Sequence, residues 1–351
     1  MNKLSQKHQK IMRIFLEKGI MQSSDIYAEM IKSDEDTSLV TIKRIVSKMV
    51  QEGILEISGA GRSTKYAITS RGRIFTDIDA GQYCAIEPDE RYGMSRYNFD
   101  MLSAMPSDIF MDDELEKLHS STTEYKRRTH DLPVSIQKKE RERLIIELSW
   151  KSSKIEGNTY TLMDTEKLIL EDKEAIGHSK QEARMILNHK DAFTYICQNS
   201  AQFNIITRKN LEELHAILVK DLDIGVNLRT KPVGVTGAKY LPLDNMYQIS
   251  EAVESLATAV AKIRTPYAKA LIALLGISYI QPFEDGNKRT GRLMANAILL
   301  SHMCAPLSYR SINEVDYKNA ILVFYELNSI LPMKKIFIEQ YDFAARNYAV
   351  K

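Results

Sequence analysis

Apolar residues recur at helical spacing near the start of the chain and then give way to two short extended stretches. Residues 7–17 place their apolar side chains on one face of a helix. The polar residues 23–25 and 37–38 offer N-caps for a second and a third helix. Residues 54–57 and 65–69 flank a glycine-containing turn, which predicts a β-hairpin. The pattern therefore predicts three helices followed by a hairpin.

The head, defined as residues 1–75, resembles a winged helix-turn-helix domain. It contains 13 Lys and Arg against 8 Asp and Glu, although the whole chain carries a formal charge of only +2. In such domains the third helix enters the major groove and the hairpin touches the DNA backbone. The residues expected to contact double-stranded DNA are Thr41, Lys43, Arg44, Lys48, Arg62 and Lys65. The alternative is a surface used for protein contacts or for a homodimer, because the fold alone does not establish DNA binding.

The length and the remaining composition limit the classes of protein to which the chain can belong. A chain of 351 residues exceeds the size of one ordinary core, so several domains are expected. No apolar run is long enough for a membrane span, which predicts a cytoplasmic protein without a membrane partner. Three widely spaced cysteines indicate neither a disulfide framework nor a zinc site. Residues 76–130 read as a connector without an assigned function, and residues 131–351 read as the main helical domain.

The chemistry is concentrated in residues 281–292, Gln-Pro-Phe-Glu-Asp-Gly-Asn-Lys-Arg-Thr-Gly-Arg. This polar loop separates two apolar helices and leads into a helix N-terminus, where free N–H groups and the helix dipole favour phosphate. Arg289 and Arg292 are three residues apart, so one polyanion can contact both. Asp285 supplies a carboxylate suited to Mg²⁺. The alternative is a plain turn with two solvated arginines.

The same loop resembles the Fic family signature, H-P-F-x-[D/E]-G-N-[G/K]-R-x-x-R, at every position but the first, where Gln281 stands. The resemblance implies a compact helical bundle that transfers AMP from ATP to a Ser, Thr or Tyr hydroxyl of a target protein. It implies Asp285 as the ligand of Mg²⁺. It also implies that the nucleotide is bound by Gly286, Asn287, Lys288, Arg289 and Arg292.

A second segment, residues 233–242, resembles the flap of the family and is called the flap below. Its alternating character predicts a short hairpin with an open edge, to which a target segment could add as a strand. The residues expected to dock the target are Thr236, Gly237, Ala238, Lys239 and Tyr240. The alternative is that the flap only covers a pocket.

A third segment, residues 152–158, matches the inhibitory pattern of the family, [S/T]-x-x-x-E-[G/N], through Ser152, Glu156 and Gly157. The Glu156 carboxylate would pair with Arg292 and withhold it from the terminal phosphate of ATP. The alternative is a helix end closed by Gly157 with Glu156 in solvent. Both can hold together.

The missing histidine leaves the activity open. In the family that histidine takes the proton of the attacking hydroxyl, a task typically worth about 10²–10⁴-fold in rate. A carboxamide such as Gln281 does not titrate near neutral pH. The chain is therefore expected to be an autoinhibited, impaired adenylyltransferase. A pseudoenzyme that senses ATP for transcription, a transferase that uses another base such as His215, and a scaffold that only binds a partner remain as alternatives. The fold class expected is mainly α, a Fic bundle with a small hairpin flap behind the winged head.

Overall fold

The computed structural model describes residues 4–32 and 37–349, which are mainly helical. The first half of the chain forms α1 (Gln6–Lys18), α2 (Ser23–Lys32), α3 (Leu39–Gln51), β1 (Leu55–Ser58), β2 (Lys65–Ile68), α4 (Ser70–Ile74), α5 (Ala80–Cys84), α6 (Asp100–Ser103), α7 (Asp112–Thr129) and α8 (Val134–Ile155). The second half forms α9 (Leu162–Glu171), α10 (Lys180–Gln198), α11 (Arg208–Leu218), α12 (Met246–Lys262), α13 (Pro266–Ile280), α14 (Asn287–Ser301), α15 (Glu314–Leu327) and α16 (Leu331–Asn347). The prediction of a mainly helical fold is confirmed.

The head has the elements predicted for it. The Ser38 side chain accepts a hydrogen bond from the N–H of Thr41 and caps α3, as the sequence indicates. Strands β1 and β2 pair antiparallel, with Leu55 opposite Ile68. Met21, between α1 and α2, pairs with Tyr66 and extends this small sheet by one bridge. Three helices and a hairpin therefore form here.

Contacts between Cα atoms divide the chain into two compact units. The first combines the described residues of Met1–Pro106 with Val235–Leu241 and Asn319–Lys334. The second combines Ser107–Gly234 and Pro242–Lys318 with the described residues of Lys335–Lys351. The domain ranges 1–75, 76–130 and 131–351 stay a prediction.

The second unit is built around α13 and α14, which pack side by side. Helix α13 is buried nearly all round, because it carries a long run of apolar residues. A Cβ atom on Gly291 of α14 would lie only 2.9 Å from the carbonyl oxygen of Leu274 in α13. The glycine is therefore needed for the close approach of the two helices. Within the described residues, none of the helices combines the length and apolar character needed to cross a membrane.

The flap does not form the hairpin expected from its sequence. It contains a turn at Thr236–Gly237, and within its own ten residues no strand pairing is present. Pro232 precedes the flap and Pro242 is its last residue; both lack N–H donors, which limits a ladder within it. The predicted open edge is also wrong, because the N–H of Leu241 donates to the carbonyl of Ser95 at 2.9 Å.

Candidate functional site

The segment between α13 and α14 begins and ends with residues in the left-handed backbone region. Gln281 ends α13 with a φ of 51°, and Gly286 precedes α14 with a φ of 77°. Glycine adopts this conformation at little steric cost, whereas a residue with a Cβ is strained there. Gly286 has no side chain with which to cap α14. The first N–H groups of α14 therefore have no N-cap side chain, which leaves them able to donate to an anion.

The side chain of Asn287 closes the loop. Its Oδ1 accepts from the N–H of Phe283 at 2.8 Å, and its Nδ2 donates to the carbonyl of Phe283 at 2.8 Å and to Gln281 Oε1 at 2.9 Å. Gln281 in turn donates from Nε2 to the carbonyl of Ser278 at 2.6 Å. Both amides thus hold the loop, a role that the motif does not reveal. A direct contact between Asn287 and a nucleotide stays a prediction.

His215 of α11 supports the loop from the other side. Its ring stacks on Phe283 with centroids 3.7 Å apart and an angle of 3° between the planes. Its Nε2 lies 3.0 Å from the carbonyl oxygen of Asp285, an acceptor only, so Nε2 carries the proton and donates. Burial lowers the pKa of His215, which favours the neutral ring. This histidine therefore positions the loop, and the nitrogen that it turns towards the loop is already bonded.

Asp285 is the exposed carboxylate of the loop. Its side chain is 67% exposed, and its Oδ2 lies 3.3 Å from Arg289 Nη2. In the part of the chain that the structure describes, no three His, Cys, Asp or Glu side chains are grouped as a metal site would need. Mg²⁺ commonly takes one or two carboxylates and completes its ligand shell with water and substrate phosphates. Asp285 fits that mode of binding.

The two arginines of the motif are both buried, in different settings. Arg289 forms an ion pair with Asp285, and burial lowers the pKa of Arg289. Arg292 is fully buried and donates from Nε to Ser152 Oγ and from Nη2 to the carbonyl of Ser152, both at 2.9 Å. Its guanidinium also lies over the ring of Tyr317, 5.6 Å from the centroid. Arg292 is thus held in place by α8 and α15, whereas Arg289 faces the loop.

Glu156 lies between two cations at the end of α8. Its Oε1 is 2.8 Å from Arg292 Nη1, and its Oε2 is 2.9 Å from Lys288 Nζ. Burial opposes ionisation of this carboxyl, but Arg292 and Lys288 outweigh that effect and lower its pKa to about 2. Gly157, with a φ of 99°, lets the chain turn away after α8. Gly157 thus closes the helix, but Glu156 is paired with Arg292 and only 14% exposed instead of lying in solvent. Inhibition by this pair stays a prediction.

Arg229 is a buried residue of this site to which the sequence assigned no role. Its Nε donates to the carbonyl of Gln281 at 2.6 Å and its Nη1 to the carbonyl of Lys231 at 2.7 Å. Its Nη2 bonds the carbonyl of Leu243. Arg229 thus joins the loop to the chain on both sides of the flap. Arg229 stands between Leu228 and Thr230, a pattern that gives no signal of this role.

The remaining predicted site residues lie in the first unit. Lys43, Arg44 and Lys48 on α3 are exposed, as are Arg62 and Lys65 at the hairpin, and Thr41 is partly exposed. In the flap, Thr236 and Gly237 are exposed, Ala238 and Lys239 are partly buried, and Tyr240 is fully buried. Their roles in binding DNA and a target stay predictions.

The fold and the loop together define a helical domain with a basic loop at a helix N-terminus. Residues 205–299 match the Fic/DOC family. The chain therefore contains a Fic/DOC domain.

Comparison with curated proteins finds relatives named Protein adenylyltransferase Fic. One from Nematostella vectensis is 31% identical over 171 residues, which cover 47% of this chain and 40% of the relative. One from Culex quinquefasciatus is 33% identical over 202 residues, which cover 56% of this chain and 40% of the relative. The chain thus matches less than half the length of these relatives.

Two solved structures share the fold at low sequence identity. Fic-1 of C. elegans (residues 134–508) has a TM-score of 0.58 and 19% identity, and covers 67% of this chain and 72% of its own. A Fic domain containing signaling protein from Bacteroides thetaiotaomicron has a TM-score of 0.56 and 21% identity, and covers 65% of this chain and 94% of its own. At these identities the likeness concerns the fold alone.

Proposed function

We propose that this protein binds ATP with Mg²⁺ at the loop 281–292 and is an AMP transferase of protein hydroxyls restrained in two ways. Glu156 holds the arginine that the terminal phosphate needs, and Gln281 replaces the base. The observation that carries the proposal is the position of the Glu156 carboxylate, within 2.9 Å of both Lys288 Nζ and Arg292 Nη1. The names of the curated relatives support AMP transfer as the activity.

The loop has the features that a phosphate chain requires. Helix α14 begins without an N-cap side chain, and Arg289 and Arg292 follow on one face of it. Guanidinium groups in a buried setting bind phosphate strongly, since water screens them little. When bound, Mg²⁺ would neutralise phosphate charge, and Asp285 is the residue that would hold it.

Inhibition follows from competition between two anions for the same cations. The terminal phosphate of ATP and the Glu156 carboxylate cannot both contact Arg292 without strong repulsion between like charges. A nucleotide that binds while Glu156 stays in place must therefore leave its terminal phosphate elsewhere. Glu156 thus favours an unproductive arrangement of ATP.

The chemical step lacks a titratable group at its usual place. The target hydroxyl attacks the α-phosphate, pyrophosphate leaves, and the hydroxyl proton must be accepted by another group. The Gln281 amide cannot accept it, and its atoms are engaged with Ser278 and Asn287. His215 donates to the carbonyl of Asp285 and is not placed as a substitute. Binding and phosphate electrostatics remain, so we expect slow transfer rather than none.

A second candidate function is an ATP-sensing transcriptional regulator in which the Fic domain no longer transfers AMP. The observation that favours it is the set of exposed cations on α3 and the hairpin, Lys43, Arg44, Lys48, Arg62 and Lys65. Such a set suits the phosphate backbone of DNA. The scaffold interpretation needs no nucleotide at all.

One experiment separates these candidates. The wild type and Glu156→Gly are incubated with ATP labelled on the α-phosphate, and protein-bound label is counted. Label that rises in Glu156→Gly supports the restrained transferase. Absence of label, together with thermal stabilisation by ATP·Mg²⁺, supports the regulator. No stabilisation at millimolar ATP·Mg²⁺ contradicts nucleotide binding and leaves the scaffold.

A further inference from the structure

The backbone of the flap presents one edge through alternate residues. In extended chain, the N–H and C=O groups of residues two apart face the same side. The N–H groups of Lys239 and Leu241 form such a pair, and both are already hydrogen bonded to other parts of the first unit. The carbonyl of Gly237, in the turn that precedes them, also accepts a hydrogen bond from the first unit. This edge is therefore occupied.

The occupant is a segment of the chain itself, residues 91–96. Arg91 donates from Nη1 to the carbonyl of Gly237 at 2.9 Å. The carbonyl of Ser95 accepts from the N–H of Leu241 at 2.9 Å, and Arg96 pairs with Leu241 as a parallel bridge. The segment thus runs beside the flap and pairs with its backbone at one bridge.

A buried carboxylate fixes this arrangement. Glu326 of α15 is fully buried, and its Oε1 accepts from the N–H of Lys239 at 3.0 Å. The same oxygen lies 3.4 Å from Arg91 Nη1, and Oε2 accepts from the hydroxyl of Tyr83 at 2.7 Å. One charged group therefore holds both the flap and the segment beside it.

Backbone packing fixes the register of the segment. The N–H of Met94 donates to the carbonyl of Glu326 at 2.7 Å. Gly93 has a φ of +109°, and a Cβ there would lie 2.6 Å from the same carbonyl oxygen. Only glycine lets the segment approach α15 so closely.

We propose that residues 91–96 and Glu326 occupy the docking edge of the flap, and that an extended segment of a target protein binds there only after displacing them. The inference rests on the proposed function in one respect, since the flap is taken to align the target. It adds a third restraint, independent of Glu156 and Gln281, and names the kind of partner: an extended peptide segment that pairs through its backbone.

Amide hydrogen exchange in the full chain tests the occupancy. We expect the Leu241 and Lys239 amides to be protected in the wild type and to exchange at least about tenfold faster in Glu326→Gln, which removes the charge. Glu314→Gln, a paired carboxylate of the same helix, is the matched control and leaves both amides protected. An unprotected Leu241 amide in the wild type would overturn the proposal.

A disulfide tests the consequence for docking without altering a buried residue. Arg96 and Leu241 are both exposed and paired, so cysteines at these positions can cross-link the segment to the flap. The pair is placed in the Gln281→His/Glu156→Gly background, with each single cysteine as control. The acceptor is casein, an unstructured, serine-rich protein.

We expect transfer of label to casein to fall at least about tenfold on oxidation and to return on reduction, with thermal stabilisation by ATP·Mg²⁺ unchanged. Equal label in both redox states refutes the displacement. If no label appears in any state while ATP still binds, AMP transfer is refuted, and amide exchange alone decides whether the edge is occupied.

Discussion

Replacing Glu156 by Gln removes one negative charge from the site and keeps the size of the side chain. In the wild type this carboxylate contacts Arg292 Nη1 at 2.8 Å and Lys288 Nζ at 2.9 Å. The substitution leaves the fully buried Arg292 without its counter-ion. We therefore expect two opposite effects: a less stable protein in the absence of nucleotide, and tighter binding of ATP·Mg²⁺.

The pKa of Glu156 sets the size of both effects. It falls from 4.5 to about 2, which at about 1.4 kcal/mol per pKa unit corresponds to roughly 3 kcal/mol of stabilisation at pH 7. We expect the free energy of unfolding of Glu156→Gln to be lower by about that amount. In the wild type, the terminal phosphate must displace Glu156 from Arg292 and so lose a large part of this free energy. We therefore expect ATP·Mg²⁺ to bind about 10- to 100-fold more tightly to the variant.

The pH dependence of the stability difference follows from the lowered pKa. A carboxyl with a pKa below its unfolded value stabilises the folded state at pH values above about 4.5 and loses that effect as the pH falls towards 2. The gap between wild type and Glu156→Gln should therefore shrink from about 3 kcal/mol at pH 7 to about half that at pH 3.

Trp150, the only tryptophan of the chain, reports on the helix that carries Glu156. Denaturant unfolding followed by its fluorescence gives the stability difference, and calorimetric titration gives the affinity for ATP·Mg²⁺. Glu314→Gln is the control. Glu314 of α15 pairs with Lys151 and Lys154 of α8, the helix of Glu156, and does not pair with Lys288 or Arg292. Unchanged or weaker ATP binding by Glu156→Gln would refute the reasoning.

Three further predictions concern the base, the loop and the head. Gln281→His combined with Glu156→Gly should raise the rate of AMP transfer about 10²–10⁴-fold over Glu156→Gly alone, measured with labelled ATP. A double variant that binds ATP but transfers no AMP would contradict the role given to position 281. Asn287→Ala should weaken ATP·Mg²⁺ binding at least about tenfold, because its amide closes the loop, and calorimetry showing wild-type affinity would count against that role. Lys43→Gln/Arg44→Gln should weaken binding to a DNA duplex and lower the number of counter-ions released on binding by about two. A gel-shift series in which the salt dependence of the affinity is unchanged would indicate that the head binds protein and not DNA.

The sequence predicted the local geometry of the loop, because that geometry depends on residues close together in the chain. The loop, its left-handed glycine and the spacing of Arg289 and Arg292 are local, so the motif was sufficient to find them. The Glu156–Arg292 pair spans distant positions and followed only from resemblance to the family. The three helices and hairpin of the head followed from periodicity and caps.

Residues whose partners lie far away in the chain were missed. Arg229 bonds three backbone carbonyls, and backbone acceptors leave no trace in a sequence pattern. The flap was expected to pair with itself as a hairpin, but the N–H groups of Leu241 and Lys239 donate to Ser95 and Glu326. Alternation of residue types indicates an extended backbone, but it does not identify the segment with which that backbone pairs. The sequence of residues 76–130 therefore did not predict that part of this range lies beside the flap.

The account depends on a phosphate chain binding at the start of α14. Its most direct test is a crystal structure of Glu156→Gly with ATP and Mg²⁺. The account predicts phosphate oxygens within hydrogen-bonding distance of Arg289, Arg292 and the first N–H groups of α14, with Mg²⁺ on Asp285. A nucleotide bound elsewhere, or a loop without nucleotide at saturating ATP, would contradict it.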